Sequence, residues 1–172
     1  MPSARLYSPF LPAFVASMSI LAVVHAVELG FGLAPCPLGY GQQFFLAGFS
    51  LVSLSAVCHA PGALGMRIYA LLSLLLAAAG ALVAGRQVWL QGALPIADIC
   101  TPSFAPVLDS MPWCQAIKAM LVGSADCMSI HWSFLDLTLP EWTLLAFLML
   151  AIMPVTRLLT YRFSALAHPG KG

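Results

Sequence analysis

Charge is what this chain has least of. Lysine and arginine number seven and aspartate and glutamate six, so only 8% of the 172 residues are charged, against about a quarter in an ordinary soluble domain. Hydrophobic residues make up 61% and the mean hydropathy is +0.95. Too little polar sequence is present to cover that apolar content in water, which excludes a soluble globular fold. A net charge of +1 supplies no basic field for nucleic acid. The G-x-x-x-x-G-K, G-x-S-x-G and H-E-x-x-H motifs are all missing, so nucleotide, serine-hydrolase and metalloprotease chemistries have no support. His25, His59 and His131 show no H-x-x-x-H spacing and the cysteines no C-x-x-C, so neither metal nor haem is expected. The remaining class is an all-α integral membrane protein.

Four apolar stretches are long enough to cross a bilayer, at about 11–33, 40–58, 68–83 and 142–159. The first has a competing reading as a signal peptide, with Arg5 as its basic flank and Val24-His25-Ala26 as a cleavage site. Its apolar run continues past Ala26, and a retained helix is expected. Pro35 and Pro37 separate the first span from the second and place Cys36 at a helix N-cap with proline at N1. His59, Pro61 and Gly62 close the second span. GRQVWLQ, from Gly85 to Gln91, reads as the polar exit of the third. The chain is expected to form one integral membrane domain over 1–172, a four-helix transmembrane bundle with one long loop at about 92–140.

Arg5, Arg67, Arg157, Arg162 and Lys171 fall on one side of these spans. The other side holds Arg86 and Lys118 with Asp98, Asp109, Asp126, Asp136 and Glu141. The positive-inside rule then puts both termini in the cytoplasm and the long loop outside, with Trp89, Trp113, Trp132 and Trp142 at the outer interface. Within the loop, Trp113, Ile117, Met120 and Leu121 recur at helical spacing and make a short amphipathic helix. Such a helix either lies on the membrane surface or packs on the bundle ends.

Five cysteines are present, and four of them, Cys36, Cys100, Cys114 and Cys127, fall outside. Extracytoplasmic cysteines tend to pair, and four allow three connectivities. Two structural bridges are one reading. Placement favours redox chemistry: a thiolate at a helix N-terminus is stabilised by the dipole, so the Cys36 pKa is expected to lie below the usual thiol range. Cys58, at the cytoplasmic end of the second span, reads as packing. His25 and Glu28 share a face of the first helix and are expected to serve either proton movement or a polar interhelix contact.

PCPLGYGQQ, GRQVWLQ, GSADC and WSFLDLTLPEW, in that order on these spans, resemble the disulfide bond formation protein B (DsbB) family. The resemblance implies a thiol:quinone oxidoreductase that re-oxidises a periplasmic thioredoxin-fold oxidase of the DsbA type in the bacterial inner membrane, with ubiquinone or menaquinone as acceptor. It implies that Cys36, Cys100 and Cys127 are catalytic, that Cys100 and Cys127 form a disulfide, and that Cys100 takes the attack of the soluble thiolate. Three positions depart from the family pattern. Gly39 stands where the second cysteine of C-x-x-C is expected, Gln43 where an arginine is usual, and Gln87 where many members have histidine. Gln43, Arg86 and Gln87 are expected on the quinone side. Cys114 is an extra thiol, read either as replacing the missing one by pairing with Cys36 or Cys127 or as an unpaired surface cysteine. The alternative function is a member that binds a thioredoxin-fold or other envelope partner without turnover, and Gly39 is the residue that separates the two.

Overall fold

A computed structural model describes residues 10–32, 36–92, 112–123 and 133–167. It contains helices α1 (Phe10–Phe31), α2 (Pro37–His59), α3 (Ala63–Gly92), α4 (Trp113–Val122) and α5 (Leu139–Ala167), with a two-residue-per-strand hairpin of β1 (Ser133–Phe134) and β2 (Leu137–Thr138). Four helices, α1, α2, α3 and α5, are long and apolar enough to cross a membrane. The fold is all-α, a four-helix membrane bundle.

At 1.5 Å per residue the 22 residues of α1 reach about 33 Å, close to the ~30 Å hydrocarbon thickness. The 30 residues of α3 reach about 45 Å. Its last turns therefore project beyond the apolar layer. The expected third span, 68–83, is only the middle of this helix, and GRQVWLQ continues it as helix. The polar side chains that made it look like an exit are used between elements: Arg86 Nε donates to the Val122 carbonyl at 2.8 Å, and Gln91 Oε1 lies 3.0 Å from the Thr138 hydroxyl.

The ends of the helices follow local chemistry. Pro37 opens α2 at N1 with Cys36 as its N-cap in extended backbone (φ −71, ψ 165), so α2 begins three residues before the expected start. It stops where Ala60 turns into the left-handed region (φ 45) and sends its N–H back to Ala56. The hairpin before α5 was not foreseen from the sequence. Leu135 and Asp136 both take positive φ (55 and 61), the pair of values a two-residue type I′ turn needs. Thr138 then leads into α5, and Glu141 accepts its backbone N–H at 2.6 Å, the returning half of a capping box. This sets the start of α5 at Leu139 instead of the expected 142.

In the bundle, α3 packs along α2 and α5, and α1 packs along α2, while α1 and α5 touch lightly. Ala13, Leu46, Phe49, Ala77, Ala84, Phe147 and Leu150 make the central cluster. Leu29, Phe44, Leu51, Leu82 and Met149, each more than half exposed, face outward as lipid-facing side chains do. Ser50 donates to Ser17 at 2.7 Å, a polar link between α1 and α2.

Close approach of α3 and α5 depends on Gly80. A Cβ there would lie 2.3 Å from the ring of Phe147, itself fully buried. Gly41 does the same for α4, since its Cβ would meet the Met120 carbonyl oxygen at 2.7 Å. That contact seats α4 on the end of α2. Ala116 is buried and Met120 half-buried against the bundle, whereas Ile117 and Leu121 are exposed, as the membrane-surface alternative for this amphipathic helix requires.

Gly80→Ala is expected to destabilise the bundle by about 1–3 kcal/mol through overpacking. Thermal unfolding in detergent measures it, and adding Phe147→Leu should recover part of the loss.

Candidate functional site

Most of the polar side chains that meet across helices gather at the end where α1 gives way to α2. Cys36 sits there half-buried against Leu38 and Val83, with Leu90 and Phe45 beside them. It is disulfide-bonded. Cys58 and Cys114 are free, exposed thiols. Cys100 and Cys127, and with them the expected disulfide between the two, lie outside the described residues. Of the two readings of Cys114, the structure has the unpaired one. The second and third residues of α4 are Cys114 and Gln115, both facing solvent, which leaves the thiol as a surface cysteine. Gly39 occupies the first turn of α2, three residues after Cys36 and half-buried.

A line of hydrogen bonds reaches the Cys36 sulfur from the far side of the bundle. Gln87 Nε2 on α3 donates to Cys36 Sγ at 3.3 Å. Gln42 Nε2 on α2 donates to Gln87 Oε1 at 2.7 Å, and the Thr143 hydroxyl on α5 donates to Gln42 Oε1 at 2.6 Å. Gln42 and Thr143 are buried. Neither was singled out from the sequence. The only available signal was an uncharged polar residue inside each apolar helix.

A second polar group joins α1 and α2. Gln43 Nε2 donates to Glu28 Oε1 at 2.6 Å, and His25 Nδ1 lies 3.7 Å from Glu28 Oε2. Glu28 is only 7% exposed, while His25 faces outward. Of the two roles expected for this pair, the observed contact is the interhelix one.

Between α1 and α5, where the two helices touch lightly, lies a cavity of about 400 Å³. Ser19, Ile20, Val23, Val24 and Val27 line one wall, and Leu139, Trp142, Thr143 and Ala146 the other. Thr143 thus belongs both to this apolar cavity and to the line that ends on Cys36. Gln43, Arg86 and Gln87, the residues expected beside a quinone, are not among the lining residues. Their polar atoms are engaged with Glu28, Val122 and Cys36. Among the described residues no group of three or more His, Cys, Asp or Glu side chains is placed to hold a metal.

Fold and site together define a class: a four-helix membrane protein with a bonded cysteine at one end of the bundle. The chain matches the family described as Disulfide bond formation protein DsbB over residues 7–156. It is 46% identical to Disulfide bond formation protein B 2 of Pseudomonas putida over 165 residues, covering 96% of this chain and 98% of that protein. The Disulfide bond formation protein B 2 of Pseudomonas entomophila is 49% identical over 163 residues, 95% and 96% of the two chains. Disulfide bond formation protein B of Stutzerimonas stutzeri is 39% identical over 160 residues, 90% and 98% of the two chains. The chain belongs to the disulfide bond formation protein B family, and with four helices fit to cross a membrane it is a multi-pass inner-membrane protein.

Gln43→Leu leaves the buried Glu28 carboxyl without its 2.6 Å donor. The expected loss is about 1–2 kcal/mol, read as a lower thermal midpoint in detergent. Gln43→Glu would place two acid groups together and lower it further, whereas Gln43→Asn should fall between the unmodified protein and the leucine variant.

Proposed function

We propose that this chain is a thiol:quinone oxidoreductase that re-oxidises a DsbA-like periplasmic thioredoxin-fold protein and passes the electrons to a membrane quinone. The observation that carries the reading is a disulfide-bonded, half-buried Cys36 joined by three hydrogen bonds to the wall of an apolar cavity. In this reading Cys100 takes the attack of the soluble thiolate, Cys127 resolves the mixed disulfide, and Cys36 is the cysteine nearest the acceptor. Thiol–disulfide exchange moves two electrons per turn, with direction set by differences in reduction potential where ~30 mV is ~1.4 kcal/mol.

The cavity's chemistry fits a quinone. Its walls are apolar, the hydroxyls of Ser19 and Thr143 being engaged with Val15 and Gln42, which suits a hydrocarbon tail and an apolar ring. A quinone held there, ubiquinone or menaquinone, would supply a two-electron, two-proton sink. The protein's own contribution is to orient: Trp142 and Ala146 on α5 face Val24 and Val27 on α1 across the space. Burial excludes water from Cys36 on the side of Leu38, Val83 and Leu90. Sidedness follows the charge pattern of the sequence, with both termini cytoplasmic and the cysteine-bearing loops periplasmic. Arg67 near the start of α3 and Arg157 in α5 lie on the cytoplasmic side in this reading.

Quinone reduction by the purified protein, driven by a reduced DsbA-type partner, tests the proposal. The unmodified chain is expected to turn over, and Cys36→Ala to lose more than about a hundredfold of that rate. Activity that emerges only in Gly39→Cys would instead establish a binding member without turnover. Ala146→Phe should raise KM for quinone about tenfold by filling the cavity while exchange with the soluble thiol stays unchanged. An unaltered KM would remove the cavity from the reading.

A further inference from the structure

The hydrogen-bond line that ends on Cys36 has a direction, and the sulfur sets it. A sulfur in a disulfide carries no proton, so Gln87 meets it with an N–H rather than its carbonyl. That orientation turns Gln87 Oε1 toward Gln42, which must then supply an N–H in turn. Gln42 is left presenting Oε1 to α5, where the Thr143 hydroxyl donates at 2.6 Å. The Pro140 carbonyl, 2.9 Å from the same oxygen, is a second and more distant acceptor for its one proton. Three donors on three different helices therefore point one way, toward Sγ. Gln42 is 5% exposed and Thr143 9%, so water competes little with the chain, and each bond polarises the next.

We propose that Thr143, Gln42 and Gln87 act as positioning residues for Cys36, a one-way donor chain that holds its sulfur as a thiolate each time the disulfide opens. The inference rests on the reading of Cys36 as a redox sulfur. When an incoming thiolate attacks the partner sulfur, one S–S bond forms as the other breaks, and the electron pair of the broken bond stays on Cys36 Sγ. No proton and no outside oxidant enters that step. The leaving sulfur becomes an anion against an N–H that is already in place, and hydrogen bonds to a charged acceptor are the stronger kind. A lower thiol pKa makes Cys36 a faster leaving group. Gln87 is thereby assigned to the sulfur rather than to the acceptor, and Gln42 and Thr143 gain a role that their places inside apolar helices did not announce.

The test is the pH dependence of Cys36 alkylation in the full-length reduced protein in detergent, with peptide mass spectrometry reporting Cys36 separately from the other four cysteines. It uses neither quinone nor a soluble partner, so a chain that fails to turn over quinone still reports on the donor chain. Gln87→Met, close in shape but without donors, is expected to raise the apparent pKa of Cys36 by about one unit, a tenfold loss of thiolate at a given pH. Thr143→Val should raise it by roughly a third of that, and Thr143→Ser, which keeps the hydroxyl, should restore the unmodified value. A Gln87→Met pKa within about 0.2 units of the unmodified protein overturns the proposal. So does a Thr143→Val value that matches Thr143→Ser. If Gln87→Met does not fold, the two Thr143 variants decide alone.

Discussion

Everything in this structure depends on the absence of water from the bilayer core, which obliges each polar group within the spans to find its partner inside the protein. Helices satisfy the backbone. Most of the side chains that remain are brought to one another at one end of the bundle, with Ser50 and Ser17 paired farther along α1 and α2. Gln42, Gln87 and Thr143 meet across three helices, Gln43 reaches Glu28 between two, and Thr138, Gln91 and Glu141 meet where α3 and α5 leave the apolar layer. The middle of the bundle is packed mainly by alanine, glycine, leucine and phenylalanine with a few buried serines, and Phe147 is pressed onto Gly80. Polarity is thus concentrated where the cysteine lies.

This concentration explains the length of α3. A helix of 30 residues is longer than the hydrocarbon requires, and its additional turns carry Arg86, Gln87 and Gln91 into contact with α4, Cys36 and the start of α5. The projecting end acts as a post on which the outer elements are fixed. Gly41 lets α4 settle against α2, and Arg86 holds the C-terminal carbonyl of Val122. The light contact between α1 and α5 is the complement of this arrangement. Because α3 draws α2 and α5 together, α1 is held chiefly by α2, and a cavity opens between α1 and α5.

The departures at Gly39, Gln43 and Gln87 acquire a physical setting in the structure. Two of the three are glutamines in contact with other polar side chains, Gln43 with Glu28 and Gln87 with both Gln42 and the Cys36 sulfur. A neutral amide can donate and accept at once, and Gln87 does both, accepting from Gln42 while donating to the sulfur. Gly39 has no side chain to contribute. The free, exposed Cys114 does not take the place of a missing cysteine there, since it stands on α4 facing solvent.

The sequence by itself determined the class, the four spans, the proline break that makes Cys36 an N-cap and the turn at His59 to Gly62. These are local properties, set by runs of apolar residues and by the fixed φ and missing N–H of proline. It did not determine the reach of α3, since the polar residues of GRQVWLQ look the same whether they face water or a partner. Nor did it show the hairpin, whose positive-φ turn is built on Leu135 and Asp136 without a glycine to mark it. The amphipathic pattern of α4 was legible, but not that the helix docks on α2 through Ala116 and the Met120 backbone while Ile117 and Leu121 stay exposed. The line from Thr143 to Cys36 joins residues 101 and 45 positions apart, besides Gln87 to Cys36 at 51. Contacts at that separation exist only once helices pack, and only the tertiary structure decided which polar side chains meet the sulfur.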